Sequence, residues 1–274
     1  MEVGIVARKG SPRAASLASD VHDAVADRGV SVWLDEVTAK SLDAGPGRPV
    51  ADLASCDLAV AVGGDGTFLF AARNADGTPV LGVNLGEVGF LNAVPPGEGQ
   101  SAVLAEVDRF HDGGMTVRET PRLVASVDDW RSVPAANEIV VTGHRRGPGG
   151  GIDYELRVDG SLYSGGHADG VLVATPSGST AYNLAERGPL VHPSVDGLVV
   201  NEMCASEGMP PLAVGLDATV TVTVTDPAGA VVVSDGRNPH ELDGPVTVRI
   251  RRTDPPMRIA GPAADFFEAL GKLS

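Results

Sequence analysis

The chain has 274 residues, of which 36 are Asp or Glu and 21 are Lys or Arg, for a formal net charge of -15. That balance argues against a nucleic-acid partner, because binding a polyanion needs a basic stripe and no run of Lys or Arg exceeds a pair. A hydrophobic fraction of 43% argues against bulk disorder, and the length allows one large domain or two ordinary ones.

The first third alternates strand and helix signals. Val3 to Ala7 is a short apolar run that predicts a strand. Ser11-Pro12 sets a capping residue before a proline, the favoured order at a helix start. Leu17, Val21 and Val25, spaced by four, then carry a helix over Ala14 to Arg28, with Gly29 as its stop. Val30 to Leu34 predicts a second strand. Leu58 to Val62 (LAVAV) is continuously apolar, as a strand buried on both faces must be. It runs straight into Gly63-Gly64-Asp65-Gly66-Thr67, and a helical stretch, FLFAARN, follows. Pro79 to Asn84 predicts another strand. This βαβ order implies a parallel sheet with right-handed crossovers.

The pattern changes after Pro95-Pro96. A helix is predicted around Ala102 to Phe110, and beyond it come short alternating strands: Glu138 to Thr142, Tyr154 to Val158, Val171 to Ala174, Val220 to Thr225 and Val246 to Arg251. Gly-rich and Pro-rich turns separate them, including Gly147 to Gly151. The reading is an α/β N-terminal domain with a Rossmann-like parallel sheet, residues 1–96, and an all-β sandwich C-terminal domain, residues 97–255. The tail 256–274 is expected to pack back on the first domain through an amphipathic helix, Ala263 to Leu273.

The start, MEVGIVARKG, enters a strand pattern directly and lacks the apolar core of a signal peptide. No apolar run approaches a membrane span, so the expectation is a soluble, cytoplasmic protein. Cys56 and Cys204 make neither a disulfide framework nor a zinc site. The only lysines are Lys9, Lys40 and Lys272. Acid excess, scarce Lys and few aromatics point to a salt-adapted protein, in which high salt screens self-repulsion.

GGDGT at 63–67, between a buried strand and a helix, reads as a phosphate site. Glycines let the backbone approach closely, the amides at the helix start face an anion, and α/β sheets bind ligands at the carboxyl ends of their strands. Gly63, Gly64 and Thr67 are the candidate phosphate contacts. Arg73, further along the helix, is another, with a solvated helix arginine as the plainer reading. Asp65 is out of place beside a phosphate unless it accepts a proton from a substrate hydroxyl or helps place a metal. The plainer alternative is a tight turn with Asp as a cap. The stretch DGVLVATPSGSTAYN, residues 169–183, ends a strand in a small polar loop whose hydroxyls, amides and aromatic face suit a nucleotide, or else simply caps a helix at Ala181 to Glu186. Asn137-Glu138 pairs an amide with a carboxylate, a set that can read ribose hydroxyls or an adenine edge; alone it is a common surface pair.

Together these residues carry a resemblance. GGDGT, then GVNLGEVGFL at 82–91, Asn137-Glu138, DGVLVATPSGSTAY, GPLVHP at 188–193 and Asp235-Gly236 resemble, in order and spacing, the NAD kinase family. GGDGT is shared with lipid kinases and approximately with phosphofructokinases, whereas TPSGSTAY with GPLVHP is far more specific. The resemblance implies an α/β domain and a β-sandwich domain with the dinucleotide between them. It implies transfer of the γ-phosphoryl group of ATP, or of polyphosphate, to the 2′-hydroxyl of the adenosine ribose of NAD, giving NADP. A divalent metal, usually Mg2+, accompanies the donor, its protein ligands being unknown, and the assembly is a homodimer or homotetramer. By position Asp65 matches the general base, with Gly66 beside it on the substrate. Asn137 and Glu138 match the pair that holds the nucleotide, and Asp169 an acid that contacts it. Thr180, Ala181, Tyr182 and Asn183 match the cleft lining.

Several positions depart from that pattern. Ser177 stands where Thr is usual. Ala185 replaces a Ser, and Arg187 replaces a Gly, at the nicotinamide end. Residues 201–211 (NEMCASEGMPP) are unlike the usual stretch, which touches subunit contacts and the site edge. Arg237 stands where Gln is common and could face the dinucleotide. His167, two before Asp169, could reach it too, whereas His192 reads as structural and His22, His111, His144 and His240 as surface residues. The competing functional readings are a diverged dinucleotide-binding regulator without catalysis, motivated by Ala185 and 201–211, and a lipid or sugar kinase sharing GGDGT.

Overall fold

A computed structural model describes residues 1–86, 89–225 and 229–271. Val88 and Glu87, within the 82–91 motif, and Lys272 lie outside the described residues. The chain divides into two units, Met1–Glu119 with Pro255–Ser274, and Thr120–Asp254.

In the first unit, β1 (Glu2–Ala7), α1 (Pro12–Ala26), β2 (Ser31–Leu34), α2 (Glu36–Ser41), β3 (Leu58–Val62), α3 (Asp65–Ala75), β4 (Val80–Val83) and α4 (Gly99–His111) follow one another. The strands pair in parallel in the order β2-β1-β3-β4. LAVAV of β3 is fully buried, as a central parallel strand requires. Ser11 caps α1 through the Ala14 amide at 3.3 Å, with Pro12 behind it, and Val21 and Val25 reach zero exposure against the sheet. Short α2 starts at Asp35, whose carboxylate accepts from the Val37 and Thr38 amides. The domain boundary falls after Glu119, not at 96/97. Its physical reason is α4, whose Val103 and Val107 join Val21, Val25 and Val83 in the first unit's core.

The second unit contains β5 (Val117–Val127), which begins just before its boundary, then β6 (Trp130–Arg131), β7 (Glu138–Thr142), β8 (Ile152–Val158), β9 (Ser161–Ala168), β10 (Gly170–Ala174), α5 (Tyr182–Ala185), β11 (Gly197–Met203), β12 (Leu212–Gly215), β13 (Val220–Val224), β14 (Ala230–Ser234), β15 (Arg237–Leu242) and the start of β16 (Val246–Ala260). One antiparallel sheet runs β12-β11-β10-β7-β14-β15. The opposing set pairs β16 with β13, β13 with β8 and β8 with β9. Side chains alternate across a strand. Ile139, Val141, Val171 and Val173 therefore enter the sandwich core with Leu156, Val222 and Val248. Val140, Leu172, Ala174 and Val199 face the other way and form a second cluster beneath Tyr182 and Val191. That outer cluster seats the TPSGSTAY loop.

The last residues of β16 return to the first unit, where Ile259 pairs in parallel with Val80. The tail helix α6 is Phe266–Leu270, capped by Asp265, and Phe266 lies 5.9 Å from Phe90 between ring centroids. Among the described residues no helix is long and apolar enough to cross a membrane.

Candidate active site

The glycine turn stands at the carboxyl end of β3. Gly64 occupies the N-cap of α3 with no side chain capping it, and the Thr67 and Phe68 amides turn back onto the Gly64 carbonyl at 2.9 and 3.1 Å. Asp65 is the first helical residue, not the cap. Its Oδ2 accepts from the Phe90 amide at 3.1 Å, and its Oδ1 from the Leu91 and Asn92 amides, both at 3.3 Å. A carboxylate offers about four acceptor positions, so three amides orient it and leave room for a further donor. Gly66 is exposed beside it. Arg73 is in the last turn of α3, about 12 Å along the helix axis from Asp65 at about 1.5 Å per residue.

In the second unit Glu138 opens β7 and is buried, opposite Ala174 of β10. Thr175 and Gly178, from the loop after β10, lie over this entrance. The Thr175 amide donates to the Asn137 carbonyl at 2.8 Å. A Cβ on Gly178 would sit 2.0 Å from that same carbonyl oxygen, so the loop closes only because the residue has none. A 3₁₀ turn, Ser177–Thr180, leads to Ala181 and α5. The Ser179 hydroxyl donates to the Pro176 carbonyl at 2.7 Å and accepts from the Val191 amide at 3.0 Å, tying TPSGST to GPLVHP. Thr180 Oγ1 donates to the Ser177 carbonyl.

Asn183 is fully buried in the loop. Its Nδ2 donates to the Pro189 carbonyl at 3.0 Å, and its Oδ1 accepts from Asn201 Nδ2 at 3.4 Å. Tyr182 is half-buried under Arg146, whose guanidinium carbon sits 5.4 Å from the ring centroid and which donates to the phenol oxygen. Burial, followed by the hydrogen bond to Glu186, pushes the Tyr182 phenol up to about 12. Ala185 ends α5 exposed, and Arg187 adopts φ +59°. Asp169 Oδ1 accepts from the Gly147 amide at 2.7 Å. His167 bonds Asp153 Oδ1 through Nδ1 and the Gly150 carbonyl through Nε2, both at 2.8 Å. The Asp153 carboxylate, with help from that carbonyl, raises its pKa above the ordinary histidine value. His167 also borders a cavity of about 350 Å³ with Arg145 and His144, and His144 pairs with Glu241 at 3.0 Å. Arg237 is exposed at the start of β15.

Within the second unit the structure thus brings Asn137 and Glu138 up against the 175–178 loop, and joins Tyr182, Asp169 and His167 to the 143–151 loop. Sequence reasoning misses Arg146, hidden in a plain Arg pair, and Asn92, which is fully buried with its Nδ2 on the Gly63 carbonyl at 3.4 Å. Among the described residues no group of three or more His, Cys, Asp or Glu could hold a metal ion.

Two family models match, the ATP-NAD kinase N-terminal domain over residues 3–108 and the ATP-NAD kinase C-terminal domain over residues 136–260. An NAD kinase of Halorubrum lacusprofundi is 67% identical, and one of Halobacterium salinarum 53% identical, each covering 100% of both chains. An Archaeoglobus fulgidus NAD kinase solved in complex with ATP superposes with a TM-score of 0.79 at 26% identity, over 100% of this chain and 97% of that one. Yeast NADH kinase solved with NADH superposes with a TM-score of 0.85 at 22% identity, over 100% and 87% of the chains, and so shares the fold.

Proposed function

Because this chain belongs to the NAD kinase family, we propose that it makes NADP by moving the γ-phosphoryl group of ATP to the 2′-hydroxyl of the adenosine ribose of NAD, with Asp65 as the general base. The observation that carries the reading is the Asp65 carboxylate, fixed by the Phe90, Leu91 and Asn92 amides at the carboxyl end of β3. In phosphoryl transfer the protein mainly positions groups and neutralises charge. Asp65 accepts the hydroxyl proton as the phosphoryl group arrives, and the amides of residues 64–66 at the start of α3 face the phosphates, since the Gly63 amide donates to the Val83 carbonyl and the Thr67 amide to the Gly64 carbonyl. Asn137, Glu138 and Asp169 hold the nucleotide, Gly66 lies against it, and Thr180, Ala181 and Tyr182 line its cleft. His167 and Arg237 lie at its edge. Mg2+ bound with ATP would take much of its shell from water and substrate phosphates and would supply charge neutralisation on the transferring group. A homodimer or homotetramer is the proposed assembly, and the cytoplasm its place.

Purified protein in concentrated KCl with ATP, Mg2+ and NAD is expected to form NADP. A matrix with polyphosphate and NADH sorts donor and acceptor. Asp65→Asn is expected to cut kcat by about 10²–10⁴, the usual contribution of a general base, while NAD binding by calorimetry is retained. A near wild-type rate in that variant would remove Asp65 from the role.

A further inference from the structure

The nucleotide-holding pair has no helix or disulfide to steady it; it is the first residue of a strand and the one before. All the backbone polar groups of residues 136–138 are nevertheless taken up, and by only two residues. Asp235 Oδ2 accepts from the Ala136 amide at 2.9 Å, and Asp235 Oδ1 from the Asn137 and Glu138 amides at 2.8 and 3.1 Å. The Asp235 amide donates to the Glu138 carbonyl at 3.0 Å. Thr175 takes the remaining carbonyls, its Oγ1 donating to Ala136 at 2.6 Å and its amide to Asn137 at 2.8 Å.

The geometry follows from a hairpin. Ser234 pairs with Arg237 across the β14–β15 turn, leaving Asp235 and Gly236 as its central residues. Their φ values are +47° and +67°. A two-residue turn with both central residues at positive φ is type I′, for which Asp-Gly is a favoured sequence. In the β7–β14 register Ser234 lies opposite Ile139. Asp235 therefore falls beside Glu138, where its side chain meets the three amides at the strand entrance. Hydrogen bonds from neutral donors to a carboxylate are roughly twice as strong as neutral pairs.

We propose that Asp235, with Thr175 opposite it, is a positioning residue for the acceptor nucleotide: it fixes the backbone of Asn137 and Glu138 and thereby sets affinity for NAD without touching it. The proposal rests on the reading of Asn137-Glu138 as the NAD-holding pair. Asp235→Asn keeps the size but offers one acceptor oxygen and turns an NH2 group toward amide donors. It is expected to raise the KM for NAD at least tenfold, with the KM for ATP unchanged within twofold and kcat reduced less than the NAD affinity. Val232→Ala, a buried truncation on the same strand, controls for lost stability and is expected to leave both KM values unchanged. Asn137→Ala is expected to raise the KM for NAD as well. A flat NAD KM in Asp235→Asn with a raised one in Asn137→Ala overturns the positioning role alone. A flat value in both overturns the reading of the pair with it. Equal shifts for NAD and ATP, or the same NAD shift in Val232→Ala, overturn the positioning role in favour of general destabilisation.

Discussion

The Phe90 amide donates to Asp65 Oδ2 at 3.1 Å, across 25 positions of sequence. The proposed catalytic carboxylate is thus held by a loop of its own unit and not by its own helix. Gly89 makes this approach possible, since a Cβ there would sit 2.3 Å from Asp65 Oδ1. Its φ is not in the left-handed region, so the constraint is space alone. Gly89→Ala is expected to push the carboxylate aside and lower kcat at least tenfold, with the melting temperature little changed. Gly97→Ala, where a Cβ meets nothing within 4 Å, is expected to match wild type. Steady-state assays on the two variants check the pair, and equal rates would mean the loop gives way at no cost to chemistry.

Asn183 carries a second prediction. Its side chain is enclosed, donates to the Pro189 carbonyl and accepts from Asn201, which in turn donates to the Glu186 carbonyl at 3.1 Å. The residue expected from family resemblance to line the cleft therefore supports the loop from inside. Asn183→Ala strands buried polar partners, at about 1–3 kcal/mol. The expected result is a loss of that size in urea unfolding, accompanied by weaker NAD binding as the Tyr182 segment loosens. Loss of binding with stability intact would instead mark Asn183 as a direct ligand.

His167 predicts a pH dependence of stability. Its pKa is raised in the fold, first by Asp153 and then by the Gly150 carbonyl, while Asp169 adds a smaller pull. A folded value above the unfolded one, about 6.5, means that the stabilisation is complete below that pH and fades as pH rises through the folded value. His167 is exposed, so solvent screens the effect. Unfolding midpoints measured from about pH 6 to about pH 9 are expected to decline more in wild type than in His167→Gln. Parallel curves would show that the imidazole charge is not used.

The strand–turn–helix of GGDGT and the buried strands β3, β7 and β10 are legible because local signals coincide there: continuous apolar runs, glycines and a helix start. Asp65 is recognisable as a residue with work to do, yet its amide partners are not, because Phe90 to Asn92 carry no pattern that points back to residue 65. The same holds for Asp235 and residues 136–138, nearly a hundred positions apart. Edge strands are the least legible elements. β9 reads SLYSGGHA and β15 RNPHEL, both mostly exposed, and an edge strand facing water needs no apolar alternation. The 201–211 segment looks merely divergent in sequence. In the fold it begins within β11, and Glu202 anchors it by accepting from Ser164 and from the Met209 amide at 2.8 Å.

Arg187 stands where the family usually has Gly, and it sits at φ +59°, a conformation that costs a non-glycine residue about 1–2 kcal/mol. Its amide closes α5 by donating to the Leu184 carbonyl at 3.0 Å, so the strain lies in the turn that ends the Tyr182 segment. Arg187→Gly is expected to raise stability by up to about 1 kcal/mol, the relief being offset in part by the greater freedom of Gly in the unfolded chain. Chemical unfolding in concentrated KCl measures it. A destabilised variant would mean that the guanidinium makes contacts worth more than the strain.

The net charge of -15 bears on catalysis because NAD and ATP are both anions, so the protein's overall field opposes their entry. Local groups must offset it, among them the amides of residues 64–66 and the arginines beside the proposed nucleotide site, Arg146 and Arg237. The Debye length falls from about 10 Å at 0.1 M salt to about 3 Å at 1 M. Concentrated salt therefore removes the long-range repulsion while leaving contacts within a few ångströms largely intact. The KM for both nucleotides is expected to rise as KCl is lowered, over a range in which circular dichroism shows the fold unchanged. Exposed ion pairs such as Arg28–Asp108 are screened by salt as well, but they contribute little and do not touch the nucleotides. If KM stays flat or falls at low salt in the folded protein, the acid excess serves solubility and not substrate access.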